Sequence, residues 1–181
     1  MSWVDNCAYI ASSSPNFLGW GVTADPSTYG VAVIDVSDPS APKAVRVLRD
    51  RGALYSSEAM DAVSTPNRKV LIAGTYEGGI KPKEDARWLS IYDASDCANP
   101  KLTAEYRWPE NVHSLSVSPN GKRVYATQIN PFTGKGGLHV LDISDLANPH
   151  YLGKFGITRT DGSSFEFATH EVSFSADETR I

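Results

Sequence analysis

The sequence predicts an all-β fold, a β-propeller of four-stranded blades, and three observations carry that expectation. First, one stretch occurs three times. Val31-Ala32-Val33-Ile34-Asp35-Val36-Ser37-Asp38 returns as Leu89-Ser90-Ile91-Tyr92-Asp93-Ala94-Ser95-Asp96 and as Leu138-His139-Val140-Leu141-Asp142-Ile143-Ser144-Asp145, each followed by Pro. Second, short runs rich in Val, Ile, Tyr and Thr, bounded by Gly, Pro, Asn, Asp and Ser, fill the chain, and no segment keeps a 3.6-residue apolar period. Third, His170-Glu171-Val172-Ser173-Phe174-Ser175 aligns without a gap on His113-Ser114-Leu115-Ser116-Val117-Ser118. A repeat of roughly 50 residues, with length changes confined to loops, is what a propeller blade tolerates.

The elements follow in order. Residues 1–5 read as the end of a strand and 7–12 as the next, with a loop over 13–29. The first copy of the motif, 31–36, precedes a strand over 44–48. Strands over 59–64, 70–75, 88–92 and 102–108 make a complete unit. Those over 113–118, 123–128, 138–143 and 151–155 make another, its first pair joined by the tight turn Pro119-Asn120-Gly121-Lys122. The expected division is an incomplete first blade over 1–50, a second over 51–108, a third over 109–157 and the start of a fourth over 158–181. About three blades do not close a ring, so the chain reads as part of a ring of roughly six to eight blades.

Composition narrows the function. Of 181 residues 41% are apolar, and no run is long enough for a transmembrane helix. A net charge of −4 with scattered Lys and Arg argues against nucleic acid. Cys7 lies in a strand and Cys97 in the turn after the second motif. Two cysteines at different repeat positions do not make a disulfide framework, so two free thiols are expected. The first residues have neither a basic region nor an apolar stretch of signal type, and such a peptide would lie upstream in a longer chain.

Antiparallel strands a to d, counted outward from the axis, place the a–b and c–d turns on one face of a blade. The d–a and b–c loops then lie on the second face. The repeated motifs fall on the first face. The long irregular loops 13–29, 50–58, 76–87, 130–137 and 158–169 fall on the second, where function is expected. Asp35, Asp93 and Asp142 recur in every copy, as turn-forming side chains do, whereas a catalytic carboxylate is usually unique. His113 and His170 open innermost strands at the second-face end, near the mouth of the central channel. Ala59 takes the equivalent place in the second blade, with Glu58 and Asp61 beside it, and Glu171 follows His170. Imidazoles converging with carboxylates on one axis could hold a transition metal. The alternative is that each His bonds within its own blade. His139 and His150 are expected to be structural. Phe17, Trp20, Tyr29, Tyr55, Tyr76, Phe132, Phe165 and Phe167 would lie on second-face loops, as a binding surface or a plug.

The triple motif resembles the LVIVD-repeat propeller family, whose eponymous stretch is mirrored in each copy, and the resemblance covers essentially the whole chain. It implies a propeller, often exported or surface-attached, and no particular reaction. The Ser118-Pro119-Asn120-Gly121-Lys122-Arg123 turn is similar to that of YVTN and lactonase-type propellers. Copper-dependent propellers of the selenium-binding-protein group also carry channel histidines, a role that only His113 and His170 match here. The expectation is a binding or scaffold propeller, extracytoplasmic, taking a protein, glycan or small ligand on its second face. The rival is a metal-dependent oxidase or lactonase-like hydrolase at the channel mouth, with His113, His170, Glu171 and Glu58 as its residues.

Overall fold

The computed structural model describes residues 1–11, 29–76, 87–109, 112–129, 136–165, 169–175 and 179–181. Among these residues all regular structure is β, and no helix is long and apolar enough to cross a membrane. Three four-stranded antiparallel sheets follow one another. The first contains β1 (Ser2–Val4), β2 (Cys7–Ala11), β3 (Val31–Asp35) and β4 (Lys43–Leu48). The second contains β5 (Met60–Thr65), β6 (Arg68–Gly74), β7 (Trp88–Asp93) and β8 (Lys101–Arg107). The third contains β9 (Ser114–Val117), β10 (Arg123–Ile129), β11 (Gly136–Asp142) and β12 (His150–Phe155). Each sheet keeps its strands in chain order, the meander of a propeller blade. A short hairpin, β13 (Ile157–Thr158) with β14 (Ser164–Phe165), occupies part of the stretch expected to be loop.

The repeated motif builds the same corner three times. Asp35, Asp93 and Asp142 each accept a hydrogen bond from the backbone N–H two residues on, at 2.9, 2.9 and 2.7 Å. This Asx turn ends strand c and starts the return. The residue after each Asp, Val36, Ala94 or Ile143, donates its N–H to a carbonyl at the start of strand b, that of Asn6, Lys69 or Lys122. In every blade the c–d pairing slips just before the Asp, at Val33/Ile34, Ile91/Tyr92 and Val140/Leu141. A bulge at one fixed place strengthens the local twist in each blade alike.

The core lies between blades. In β6, Val70 and Ile72 join a cluster with Leu115, Val124 and Leu141 of the third blade. Leu71 and Ala73, on the opposite face, pack with Tyr9, Val31 and Val33 of the first. A strand covered on both sides needs an unbroken apolar run rather than alternation, and Val70-Leu71-Ile72-Ala73 supplies it.

The c–d turns of the second and third blades also lap over the preceding blade. The turn of the third blade places the Ser144 carbonyl 2.9 Å from the Arg68 guanidinium, which also bonds the Ile143 carbonyl. The turn of the second docks on the first, where Tyr9 donates its hydroxyl to the Cys97 carbonyl at 2.9 Å and Arg46 bonds Asn99. Here the expectation of two free thiols fails. Cys7 and Cys97 form a disulfide with Cα atoms 5.7 Å apart. Residues of unlike repeat positions can meet across a blade interface, so unlike positions were no argument against pairing.

The innermost strands are tied by short polar side chains at one repeated level. Ser2 donates its hydroxyl to Asp61 Oδ1 at 3.0 Å, and Asp61 Oδ2 accepts the Val117 N–H at 2.8 Å. Ser116 in turn donates to the Val172 carbonyl at 2.7 Å. The start of the fourth unit is visible in its turn. Ser175 N bonds the Arg180 carbonyl and Arg180 N bonds Ser175 Oγ, as Ser118 and Arg123 do in the third blade. Residues 170–175 nonetheless form no ladder, because no antiparallel neighbour pairs with them among the described residues.

Candidate functional site

Strand register shows which residues share a level along the innermost segments. Lys69 and Lys122 accept the same backbone hydrogen bond and are equivalent. From there Leu71 pairs with Ala62, and Val124 pairs with Val117. Counting back along each inner strand makes Glu58, not Ala59, the counterpart of His113. The sequence comparison slips at the a–b turn. In the second blade Thr65 pairs directly with Arg68, so only Pro66 and Asn67 turn, whereas the third blade inserts the longer 118–122 loop. The Ser175–Arg180 turn places His170 at the same level again. Ala59 is fully buried in the interblade core.

Local structure holds these three residues. Glu58 follows Ser57, whose φ of 38° is a left-handed conformation rare outside glycine, and the chain then enters β5 with the Ala59 N–H bonded to Ser56. Upstream, Gly52 is wedged against β6 and β7 and donates its N–H to the buried Ser90 hydroxyl at 2.9 Å. His113 N bonds the Thr127 carbonyl at 2.9 Å. The Thr127 hydroxyl serves both histidine segments. It donates to the His170 carbonyl at 2.9 Å and accepts the Ser114 N–H at 3.1 Å. Thr169 adds a bond to the Gly137 carbonyl at 2.7 Å.

The side chains converge. The His113 and His170 rings meet edge to face with centroids 4.4 Å apart. His113 Nε2 lies 3.6 Å from Glu58 Oε2. One ligand atom from each of the three residues lies within 4.8 Å of the others. His113 is mostly covered, and its Nε2 is buried with no hydrogen-bond partner. Burial, reinforced by the neighbouring His170, pushes the His113 pKa below its ordinary value, with Glu58 offsetting part of this. The imidazole is therefore neutral at neutral pH, the form that ligates metals. The Tyr76 ring packs on His113 at 5.2 Å.

Glu58 and His170 open onto a cleft of about 420 Å³, also lined by Met60, Asp61, Ser114 and Glu171. Glu171 lines that cleft but stands outside the three-residue cluster. Asp61 is committed to the inner-strand ties, and burial raises its carboxyl above the ordinary value. The remaining candidates separate from this centre. His139 is buried beside Trp108, with Nδ1 2.7 Å from the Tyr151 hydroxyl, and His150 starts β12. Tyr29 pairs with Tyr55 at 6.0 Å between centroids. Phe17, Trp20, Phe132 and Phe167 lie outside the described residues, as do most of the loops 13–29, 76–87 and 130–137. Thr127 had no signal in the sequence, since its role depends on two segments brought together by the fold.

Comparison with known proteins bears on the fold. The LVIVD repeat family matches residues 27–47 and 133–156, the c–d corners of the first and third blades. No curated protein matches the sequence. Among solved structures, the Pseudomonas aeruginosa periplasmic gluconolactonase PpgL is similar at 13% identity and a TM-score of 0.50. The match covers 72% of this chain and 35% of that one, so this chain spans about a third of its length. TolB from Acinetobacter baumannii matches at 17% identity and a TM-score of 0.32, over 71% of this chain and 28% of that one. At such identities the likeness to PpgL is one of fold alone. With the repeated corner, the consecutive four-stranded sheets and the family match together, the chain carries LVIVD repeats on a β-propeller fold.

Proposed function

We propose that this propeller is a binding module whose second-face channel mouth holds a divalent transition metal through Glu58, His113 and His170. The observation that carries the reading is their equivalence: three successive innermost segments, those entering β5 and β9 and the one at 170–175, each bring a metal-ligating side chain to one level. Two imidazoles and a carboxylate suit zinc, iron, nickel or copper rather than calcium or magnesium. Tetrahedral ligands at about 2.0–2.1 Å from zinc stand about 3.3 Å apart. The 3.6 Å between His113 Nε2 and Glu58 Oε2 is close to that, and small rotations of the exposed Glu58 and His170 side chains would close the rest. The interblade disulfide supports an extracytoplasmic, oxidising location for this module.

The test is metal content and affinity of the purified protein. Expected is one zinc or cobalt per chain by elemental analysis and equilibrium dialysis. His113→Ala with His170→Ala should abolish binding, and Glu58→Gln should weaken it. Absence of stoichiometric metal after loading, or undiminished binding in the double histidine variant, would overturn the reading.

A further inference from the structure

Resting on the metal reading above, we propose that the cation keeps coordination positions open toward the cleft and uses them to bind a neutral, hydroxyl-rich ligand of monosaccharide size. Among the described residues the cluster supplies three protein donors. Structural zinc sites are closed by four, whereas sites with three leave a position for an exchangeable ligand. The opening faces the cleft, since Glu58 and His170 line it, and about 420 Å³ falls in the range of small-molecule sites. Charge selects the ligand. A divalent cation here would be matched by two carboxylates, Glu58 as ligand and Glu171 on the wall. Among the described residues no Lys or Arg side chain lines the cleft, and Asp61 spends its oxygens on Ser2, Ala62 and Val117. With its charge balanced, the metal offers an anion such as phosphate little excess attraction. Hydroxyl groups suit the site better: they coordinate as neutral oxygens and donate to Glu171 or Ser114, while Met60 and Leu115 lie under the C–H face.

The experiment is visible absorption of the cobalt-loaded protein, titrated separately with glucose and with inorganic phosphate. Glucose should shift the cobalt bands saturably and phosphate should not. Glu171→Ala should weaken the glucose response roughly fivefold, about one hydrogen bond's worth, while cobalt still loads. A phosphate response with glucose silent overturns the proposal in favour of an anion site. Cobalt bound with neither probe shifting the bands also overturns it, by showing closed coordination, and leaves the metal reading standing. Failure of cobalt to bind in a protein with native circular dichroism defeats both.

Discussion

Removing the Cys7–Cys97 disulfide should cost the fold several kcal/mol. The bond joins strand b of the first blade to the c–d turn of the second across a sequence separation of 90 residues. Closing a loop of that length removes chain entropy from the unfolded state worth about 4.6 kcal/mol at 25 °C. Residual structure in the unfolded chain lowers this, and native disulfides typically contribute roughly 2–5 kcal/mol. The Tyr9–Cys97 and Arg46–Asn99 hydrogen bonds remain at the same corner, so the interface weakens rather than separates. The perturbation is Cys7→Ala with Cys97→Ser, because Cys7 is buried and an added hydroxyl there would go unsatisfied. The assay is urea unfolding beside the oxidised protein, its disulfide verified by intact mass. With a slope of about 2 kcal/mol/M, the midpoint should fall by roughly 1–2.5 M. A fall below roughly 0.3 M would refute the reasoning and show that interblade packing alone fixes the corner.

Gly52→Ala should destabilise by about 3 kcal/mol in the same assay, because its Cβ would lie 2.2 Å from the Ala73 carbonyl oxygen and 2.4 Å from Ser90 N, both backbone atoms. Tyr92→Phe should cost roughly 2 kcal/mol, since the buried phenol donates to Asp50 Oδ2 at 2.7 Å and a bond to a charged partner is lost. The Asp35 and Asp93 carboxyls are held below their ordinary pKa, first by the hydroxyl and then by the N–H of Ser37 and Ser95. Their folded values are depressed, so their stabilisation is present above the unfolded pKa of about 3.9 and is lost as pH falls through the folded value. NMR titration should place both below 3.9, and Ser95→Ala should move Asp93 upward and leave Asp35 unchanged. Thr127→Val should weaken metal binding about tenfold and Thr127→Ser should restore it, because the hydroxyl positions both histidine segments without touching the ion.

The blades were legible in the sequence because turn chemistry is local. Asp, then Ser two residues on, then Pro dictates the same corner wherever it occurs, and the strands on either side announce themselves by composition. What crosses from blade to blade was not legible. The Cys7–Cys97 bond and the grip of Arg68 on the next corner join unlike repeat positions, and no alignment of the repeat with itself brings those together; the Ser2–Asp61 tie joins like positions that carry unlike residues. His113 and His170 stood out as a repeated type at a repeated place. Glu58 was seen only as a neighbour, since a shorter a–b turn in the second blade shifts the sequence alignment away from the strand register. Thr127 was invisible for a plainer reason: a threonine in the middle of a strand is ordinary until two backbone segments are found hydrogen-bonded to it.

The inner strands divide their labour by level. At the level of Ser2, Asp61 and Ser116, each short polar side chain reaches sideways to the next strand, and its hydrogen-bonding capacity is consumed in holding neighbouring blades in register. Three residues toward the second face, at the level of Glu58, His113 and His170, the side chains are longer and meet one another instead, with His113 Nε2 left unbonded. The first level makes the second possible. A cluster assembled from one residue per blade is only as well placed as the blades are, and a shift of one blade along the axis would carry its ligand out of reach. The Asp61 carboxylate, although the more deeply buried acid, is therefore a poor candidate for chemistry: its oxygens hold the register, and the half-exposed Glu58 is the carboxylate free to meet a ligand.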